Sequence, residues 1–280
     1  MFGFKMHDGQ HMWHSKPQII PAASFSRLNM TLRPPLPAFS NAVQCLWAAH
    51  CSDTGLPQVT EKLYPDAGTS ITFHIHNGSV AARYFHSSEV ALSNWITSKE
   101  YFGVRFKPGG AAALLGEQLA NIQNEEVDLM EINLLHKESL KRLLDQLSAL
   151  KSVNQRIDMI QNWLAFLASN SERNHWSALA ANALTHALSI QELASDYGFS
   201  RRTLERHFRK YIGFTPSQVN QFGKLNRARW ELTTSRNSIS DIALNCGFFD
   251  QAHFSNFFRE NTMETPLQYR QRKLSQISNT

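Results

Sequence analysis

Alternation of hydrophobic and polar residues marks the middle of the amino-terminal half of this chain. Between residues 63 and 107 the apolar positions recur with a period of two, which predicts strands of a sheet that packs on one face. These positions are Ile71, Phe73, Ile75, Val80, Ala82, Tyr84, Phe102, Val104 and Phe106. Pro108 ends the last strand, and the segment AAALLGEQLANI predicts a helix over residues 111–122. Gly109 and Gly110 before this helix could cradle an anion, but a plain turn from strand to helix is the simpler explanation.

The period becomes helical between residues 137 and 169, where the pattern predicts two helices. Their apolar stripe consists of Leu140, Leu143, Leu144, Leu147, Leu150, Ile157, Ile160, Trp163, Leu164 and Leu167. The stripe covers the sheet or other helices in one interpretation and forms the seam of a dimer in another. We therefore predict a domain of mixed β-sheet and helix over residues 26–170. A tail over residues 1–25 precedes it, and a polar linker over residues 171–178 follows it.

The carboxy-terminal half contains one pattern twice. The first copy, residues 189–216, reads SIQELASDYGFSRRTLERHFRKYIGFTP, and the second, residues 238–266, reads SISDIALNCGFFDQAHFSNFFRENTMETP. Each copy predicts a short helix that ends at a glycine, a tight turn and a second helix, which together make a helix-turn-helix unit. The two units cover residues 189–211 and 238–260. Each copy closes with Thr-Pro, where Pro can open a further helix.

Polar residues at the expected helix starts support this repeat. In each copy a Ser is followed three places later by an acidic residue, which predicts an N-terminal capping box. The pairs are Ser189 with Glu192 and Ser238 with Asp241. The short helices end at Gly198 and Gly247, and the second helices begin after Ser200 and Asp250. Between the copies, SQVNQFGKLNRARWELTT predicts a long connecting helix. Residues 179–280 are thus predicted as an all-α domain, and the whole chain as a two-domain α+β protein.

Composition and charge indicate which class of molecule the chain binds. Of its 280 residues, 42% are hydrophobic and 18% are charged, which excludes a wholly disordered or collagen-like protein. Residues 1–170 contain 14 Lys and Arg and 14 Asp and Glu, whereas residues 171–280 contain 14 and 9. The whole net charge of +5 therefore lies in the carboxy-terminal part. Such a basic module favours a polyanionic partner.

Cysteine usage and hydropathy predict the compartment. Cys45, Cys51 and Cys246 are too few and too scattered for a disulfide framework. No apolar run reaches the length of a membrane span, and the first residues lack the apolar core of a secretory signal. We therefore expect a cytoplasmic protein with reduced thiols and no membrane partner.

The repeat resembles the DNA-binding domain of the AraC/XylS family of transcription regulators over residues 178–275. Its most specific segment is DIALNCGFFDQAHFSNFFRENTMETPLQYR in the second copy. Met263 departs from the pattern, because the family usually has Gly in the bend before Thr-Pro, as Gly213 is in the first copy. We expect a locally altered turn at Met263. The segment GVRFKPGGAAALLG resembles an amino-terminal module that often precedes such domains.

The resemblance implies a sequence-specific transcription regulator that inserts two recognition helices into successive major grooves of double-stranded DNA. It also implies an amino-terminal domain that senses a signal or dimerises. RNA polymerase, a small-molecule effector of unknown identity and a second copy of the chain are the further partners that it implies. No cofactor and no enzymatic activity are expected.

The outer faces of the second helices carry the candidate DNA contacts. Arg202 and Arg206 lie one turn apart, and either could bind guanine O6 and N7 with two donors. The family resemblance favours the positions two before and two after the inner apolar anchor. On anchors Leu204 and Phe254 these positions are Arg202, Arg206, Ala252 and Asn256. The full set of candidate base-reading residues is Arg201, Arg202, Thr203, Glu205, Arg206, Gln251, Ala252, His253, Ser255 and Asn256. The candidate phosphate contacts are Ser200, Arg209, Lys210, Arg259 and Arg270.

The sequence lacks a complete set of residues for a metal site or for a methyl-acceptor enzyme. His74 and His76 share one strand face, but no further ligand commits them to a metal. The remaining scattered candidates are His7, His11, His14, His86, and Cys45 and Cys51 around His50. A DNA-repair methyl acceptor also carries an AraC-like module, but it needs a zinc-thiolate cluster that three scattered cysteines cannot build. A protein that bends DNA without reading its sequence is a third alternative, and the base-reading side chains argue against it.

Overall fold

The computed structural model describes residues 30–50, 57–76, 78–171, 179–180, 183 and 190–277. The strands in this part of the chain are β1 (Thr31–Arg33), β2 (Val43–His50), β3 (Gln58–Leu63), β4 (Thr69–His76), β5 (Ser79–His86), β6 (Ala91–Ile96), β7 (Glu100–Phe106) and β8 (Glu126–Asp128). One antiparallel sheet has the order β1-β2-β7-β4-β5-β8, and β3 pairs with β6 in a second sheet. This β-rich half and the helical half that follows it confirm the α+β architecture.

Helices cover one face of the six-stranded sheet. They are α1 (Gly110–Leu115), α2 (Lys137–Ala149) and α3 (Val153–Ser169). Most of the predicted inward residues of β4, β5 and β7 are buried in one core with the apolar stripe of α2 and α3. Within it the rings of Phe73 and Phe102 stack with their centres 5.7 Å apart. The stripe therefore covers the sheet, as the first interpretation predicts.

The helix after β7 is shorter than the sequence predicts. It ends at Leu115 because Gly116 takes a φ of +126°, outside the helical region, and residues Glu117–Asn121 continue as a 3-10 helix. Gly110 at its start packs closely on the backbone of Ala42, since a Cβ there would lie 2.0 Å from the Ala42 carbonyl oxygen. The glycine thus serves the close approach of two backbones, and the plain turn explains it.

Alternation does not reveal β2, although this strand pairs with both β1 and β7. Its sequence, VQCLWAAH, is almost wholly apolar because both of its faces are buried. Leu46 lies in the core beneath the helices, and Trp47 lies in a separate cluster with Cys45 and Trp95. Cys45 is a buried free thiol, as predicted for a small hydrophobic residue. Cys51 lies outside the described residues.

Helices build the carboxy-terminal half. They are α4 (Ile190–Asp196), α5 (Arg201–Ile212), α6 (Pro216–Thr234), α7 (Ile239–Asn245), α8 (Gln251–Thr262) and α9 (Pro266–Ile277). Their buried side chains form two cores. The predicted connecting helix, α6, supplies Val219 and Phe222 to the first core and Leu225 and Leu232 to the second. Because α6 is a wall of both cores, it joins the two units as a rigid rod.

Candidate nucleic-acid interface

The first helix-turn-helix unit consists of α4, a tight turn and α5. The turn bends at Gly198, whose φ of +68° lies in the left-handed region. Helix α5 begins after Ser200, whose hydroxyl accepts the N–H of Thr203 at 3.1 Å. The capping box predicted from Ser189 and Glu192 includes Ser189, which lies outside the described residues.

The second unit repeats this geometry in α7, its turn and α8. Its predicted capping box is present: the Ser238 hydroxyl accepts the N–H of Asp241 at 3.1 Å, and the Asp241 carboxylate accepts the N–H of Ser238 at 3.3 Å. The turn bends at Gly247 with a φ of +76°. Helix α8 begins after Asp250, whose carboxylate accepts the N–H of His253 at 2.7 Å. In a helix-turn-helix unit the second helix enters the major groove, so we call α5 and α8 the recognition helices.

The bends that end the two recognition helices have the same handedness. Gly213 ends α5 with φ +86° and ψ −9°, and Met263 ends α8 with φ +60° and ψ +21°. In each bend the N–H of this residue donates to an arginine carbonyl oxygen, that of Arg209 at 3.2 Å and that of Arg259 at 2.9 Å. The altered turn expected at Met263 is therefore not found. A residue with a Cβ occupies the left-handed region instead, and its side chain is 62% exposed.

Helix α5 presents a basic outer surface. Arg202, Arg206 and Arg209 are exposed, and no carboxylate of the described residues forms an ion pair with them. Arg201 and Glu205 pair with each other, with 3.0 Å between Nε and Oε1. Arg201 and Glu205 therefore neutralise one another, whereas the charges of Arg202, Arg206 and Arg209 are not neutralised by a described carboxylate.

Helix α8 presents a more polar outer surface. Gln251, Ala252, His253, Asn256 and Arg259 are exposed, and Ser255 is half-buried. Arg259 donates from Nη2 to Oδ1 of Asn256 at 3.4 Å, so the two side chains lie together on the surface. The inner face is anchored by Phe254 and Phe258, which are fully buried. The two recognition helices therefore differ in outer-face chemistry while sharing one scaffold.

Two of the candidate phosphate contacts, Lys210 and Arg270, have partners outside their own helices. Nζ of Lys210 lies 3.0 Å from Oε2 of Glu117, and this hydrogen bond raises the pKa of Lys210. Arg270 donates from Nε to the Leu232 carbonyl oxygen at 3.2 Å and from Nη2 to that of Asn237 at 2.8 Å. Arg270 thereby ties α9 to the end of α6. Contacts of Lys210 and Arg270 with phosphate stay predictions.

The amino-terminal half contacts the first unit beside the end of α5. Gln123 donates from Nε2 to the Gly213 carbonyl oxygen at 2.7 Å. The His86 ring packs edge-on against Phe214 with 4.6 Å between centres, and Ala67 is buried in the core of the first unit. Burial, aided by the charge of Arg105, lowers the pKa of His86 to about 4. This interface therefore contains a neutral histidine at neutral pH.

A second contact joins the amino-terminal half to the second unit. Glu264, in the bend after α8, accepts Nζ of Lys62 at 2.6 Å and Nη2 of Arg272 at 2.9 Å. Arg272 also donates to the Tyr64 hydroxyl at 3.2 Å. Burial raises the pKa of Glu264, but the hydrogen bonds from Arg272 and Lys62 outweigh it, so its pKa lies below the ordinary value. The amino-terminal half thus touches both units, while the first turns of α5 and α8 stay exposed.

Comparison with known proteins agrees with this geometry. Residues 193–272 match a family described as a helix-turn-helix domain. The HTH-type transcriptional activator RhaS of Escherichia fergusonii is 32% identical over 141 residues, which are 46% of this chain and 51% of the relative. A transcriptional regulator of Chromobacterium violaceum with an AraC-type DNA-binding domain is 39% identical, with 35% of this chain and 87% of that chain covered and a TM-score of 0.32. Residues 193–272 therefore form a domain of this helix-turn-helix family.

The amino-terminal half matches a different family model. Residues 32–128 match a domain of unknown function, DUF6597. RhaS of Klebsiella pneumoniae is 26% identical over 235 residues, which are 78% of this chain and 82% of that protein. The chain thus spans about half the length of the first relative and about four fifths of the second.

In the part of the chain that the structure describes, no group of three or more His, Cys, Asp or Glu could hold a metal ion. His74 lines a cavity, and the side chain of His76 lies outside the described residues. No helix of the described residues is long and apolar enough to cross a membrane.

Proposed function

We propose that this protein is a sequence-specific transcription regulator that reads double-stranded DNA with α5 and α8. The observation that carries the proposal is the pair of exposed recognition helices on the single rod α6. With 19 residues, α6 is about 28 Å long. This length suits contacts with two major grooves on one face of DNA, about 34 Å apart. The relatives named as transcriptional activators support a role in transcription.

Each recognition helix has a distinct part in this proposal. Arg202 and Arg206 read guanine, since both are exposed, neither pairs with a described carboxylate, and an arginine can bond O6 and N7 together. Gln251 and Asn256 read adenine through their amides, and Ala252 contacts a thymine methyl group. The other candidate residues, Arg201, Thr203, Glu205, His253 and Ser255, flank these positions. Ser200, Arg209, Lys210, Arg259 and Arg270 are the proposed phosphate contacts.

The organisation of the chain follows from the same proposal. Residues 1–25 form a tail, 26–170 a sensing or dimerising domain, 171–178 a linker and 179–280 the DNA-binding domain. RNA polymerase, a small-molecule effector and a second copy of the chain are the proposed partners besides DNA. The protein works by binding and not by catalysis, because the relatives that it resembles are named as regulators.

Selection from a random DNA library by the full-length protein tests this function. The salt concentration is kept near about 0.15 M, because phosphate contacts make DNA affinity strongly salt-dependent. We expect an asymmetric motif with two blocks about one helical turn, or 10 base pairs, apart. A mirrored pair of such motifs would add dimerisation.

Equal binding to selected and scrambled DNA would contradict the proposal. It would favour the alternative of an architectural protein that bends DNA without reading its sequence. A motif with a single block would contradict the use of both recognition helices.

A further inference from the structure

A cavity of about 670 Å³ lies on the face of the six-stranded sheet opposite α2 and α3. Strands β2, β4, β5 and β7 line it from one side, and the β3–β6 pair lines it from the other. Ser70, Thr72 and His74 point into it because they alternate along β4 with the core residues Ile71 and Phe73. Its volume lies within the range of natural small-molecule sites.

The wall of this cavity carries excess positive charge. Its cations are Lys62, Arg83, Lys99, Arg105 and Arg229, and its acids are Asp66 and Glu126. Three of the cations have carboxylate partners, which are Glu264 for Lys62, Asp128 for Arg83 and Asp66 for Arg105. Arg229 and Lys99 pair with no carboxylate of the described residues. An excess of cations in the wall of a cavity favours an anionic ligand.

Arg229 is the more unusual of these two cations because it is buried, with 5% of its surface exposed. It belongs to α6 and therefore to the helix-turn-helix domain. Its guanidinium carbon lies 3.9 Å from the centre of the Tyr64 ring, and its Nε donates to the Tyr269 hydroxyl at 3.2 Å. Its Nη1 donates to Oδ1 of Asn226 at 3.3 Å. Neutral partners satisfy part of this guanidinium, but a buried charge without a counter-charge is costly.

Other charged side chains lie near Arg229. Burial lowers the pKa of nearby Lys273 to about 7, and the charges of Arg229 and Arg272 add to this effect. The acids that act on Lys273 are Glu61 and Glu264. Glu264 is already engaged by Lys62 and Arg272.

The cavity has an aromatic end as well as a cationic end. Trp47, Trp95 and Tyr101 line it and pack edge to face, with 5.7 Å between the two indoles and 4.8 Å between Trp95 and Tyr101. On β7, Tyr101 lies four residues from Arg105, which corresponds to about 14 Å along the strand. Arg105 pairs with Asp66, which follows Tyr64 by two residues along the chain. Arg229 stacks on the ring of Tyr64. One end therefore suits an anionic head and the other a flat apolar body.

We propose that this cavity binds a small organic acid with an aromatic body, whose carboxylate pairs with Arg229 and whose ring lies toward Trp95. The ligand then touches both halves of the protein. Arg229 also holds Tyr269 of α9, and the Tyr269 ring packs against Phe258 of recognition helix α8 with 5.3 Å between centres. A carboxylate that draws the guanidinium toward the cavity thereby acts on the core that positions α8. This regulatory consequence rests on the proposed function, whereas ligand binding does not.

Two matched pairs of probes test the binding site on the full-length protein: benzoate against benzamide, and 2-naphthoate against 2-naphthamide. Each pair differs in charge but hardly in shape. We expect titration calorimetry to give the naphthoate an affinity at least about tenfold higher than that of its amide, as for a charge-assisted hydrogen bond. Arg229→Gln should abolish this preference. Equal affinity of acid and amide in both pairs would overturn the proposal.

Lys99→Gln is the matched control, because it removes a positive charge from the same cavity at the aromatic end. It should keep the preference for the acid. Loss of the preference in Lys99→Gln and its retention in Arg229→Gln would overturn the proposed orientation. If Arg229→Gln does not fold, a crystal structure of the wild-type protein with 2-naphthoate decides the same point, since the carboxylate must lie against Arg229.

The regulatory consequence has its own measurement. Saturating 2-naphthoate should change the affinity of the wild-type protein for its selected DNA by at least about fivefold, the lower end of ordinary allosteric coupling. An unchanged affinity would overturn the coupling and leave the ligand site intact. If no DNA motif were selected but the preference for acids persisted, the proposed function would fail and the ligand site would stand.

Discussion

Nζ of Lys62 lies 2.6 Å from Oε1 of Glu264, although 202 positions of sequence separate the two residues. Lys62 is in β3, and Glu264 follows recognition helix α8. Lys62 also donates to the carbonyl oxygen of Thr262, the last residue of α8, at 3.3 Å. The end of a recognition helix is thus held by a strand that also lines the cavity.

Removal of the Glu264 charge should weaken this connection. We expect Glu264→Gln to lower the free energy of unfolding by about 1–2 kcal/mol, because two charged donors lose a largely buried acceptor. Urea unfolding at neutral pH measures the change. Glu260→Gln is the matched control, since Glu260 is exposed on α8 and should change the stability by less than about 0.5 kcal/mol. Equal effects of the two variants would contradict a structural role for this ion pair.

Replacement of arginines in α5 should distinguish base contacts from phosphate contacts. We expect Arg206→Ala to lose about 1–3 kcal/mol of binding free energy at one base position and to relax the preference there. Arg209→Ala should weaken binding to all sequences alike, because a phosphate contact carries no sequence information. Competition binding to single-base variants of the selected site measures both. A uniform loss from both substitutions would contradict these roles.

Replacement of Met263 by glycine should stabilise the protein. Its φ of +60° is strained for a residue with a Cβ, and its exposed side chain contributes little packing. We expect Met263→Gly to stabilise the protein by about 0.5–1 kcal/mol after the larger entropy of glycine in the unfolded chain is counted. Thermal unfolding measures this change, and DNA affinity should stay the same.

The equivalent position in the first unit should respond in the opposite way. A Cβ at Gly213 would lie 2.1 Å from the carbonyl oxygen of Ala120 in the amino-terminal half. Gly213→Ala therefore combines a strained φ with a clash between the two halves, and we expect a loss of more than about 2 kcal/mol. A loss of about 1 kcal/mol or less, which the strained φ alone would cause, would mean that the two halves do not meet here in solution.

His86 should make stability fall in weak acid. The folded state favours the neutral ring, so its pKa of about 4 lies below the ordinary 6.5. This contribution is fully present above pH 6.5 and is lost as the pH falls toward 4. At pH 5 the loss is about 2 kcal/mol, from about 1.4 kcal/mol per pH unit.

Denaturant unfolding between pH 7 and pH 5 measures the effect of His86. The difference between the wild-type protein and His86→Leu isolates it from the titration of carboxylates, which the two proteins share. We expect the variant to lose less stability than the wild-type protein across this range. Parallel pH profiles would contradict a buried neutral histidine.

Local elements were predictable from sequence because a few adjacent residues decide them. The Ser238–Asp241 capping box, the caps Ser200 and Asp250, and the left-handed glycines of both turns are all present. The three alternating strands are also present, since each has one buried and one polar face. Strand β2 escaped prediction because both of its faces are buried, which leaves no alternation to detect.

The contacts between the two halves depend on the tertiary structure alone. Lys62 with Glu264, Gln123 with Gly213, and Arg229 on Tyr64 are pairs that no spacing along the chain encodes. The same holds for the cavity, whose polar face reads in the sequence simply as the exposed side of a sheet. The chain by itself therefore determined the two helix-turn-helix units and the exposed outer faces of their second helices, through short-range capping and periodicity. Only the folded structure decided that β3–β6 covers the second face of the sheet and that α6 brings a buried arginine to it, because packing joins residues that are far apart in sequence.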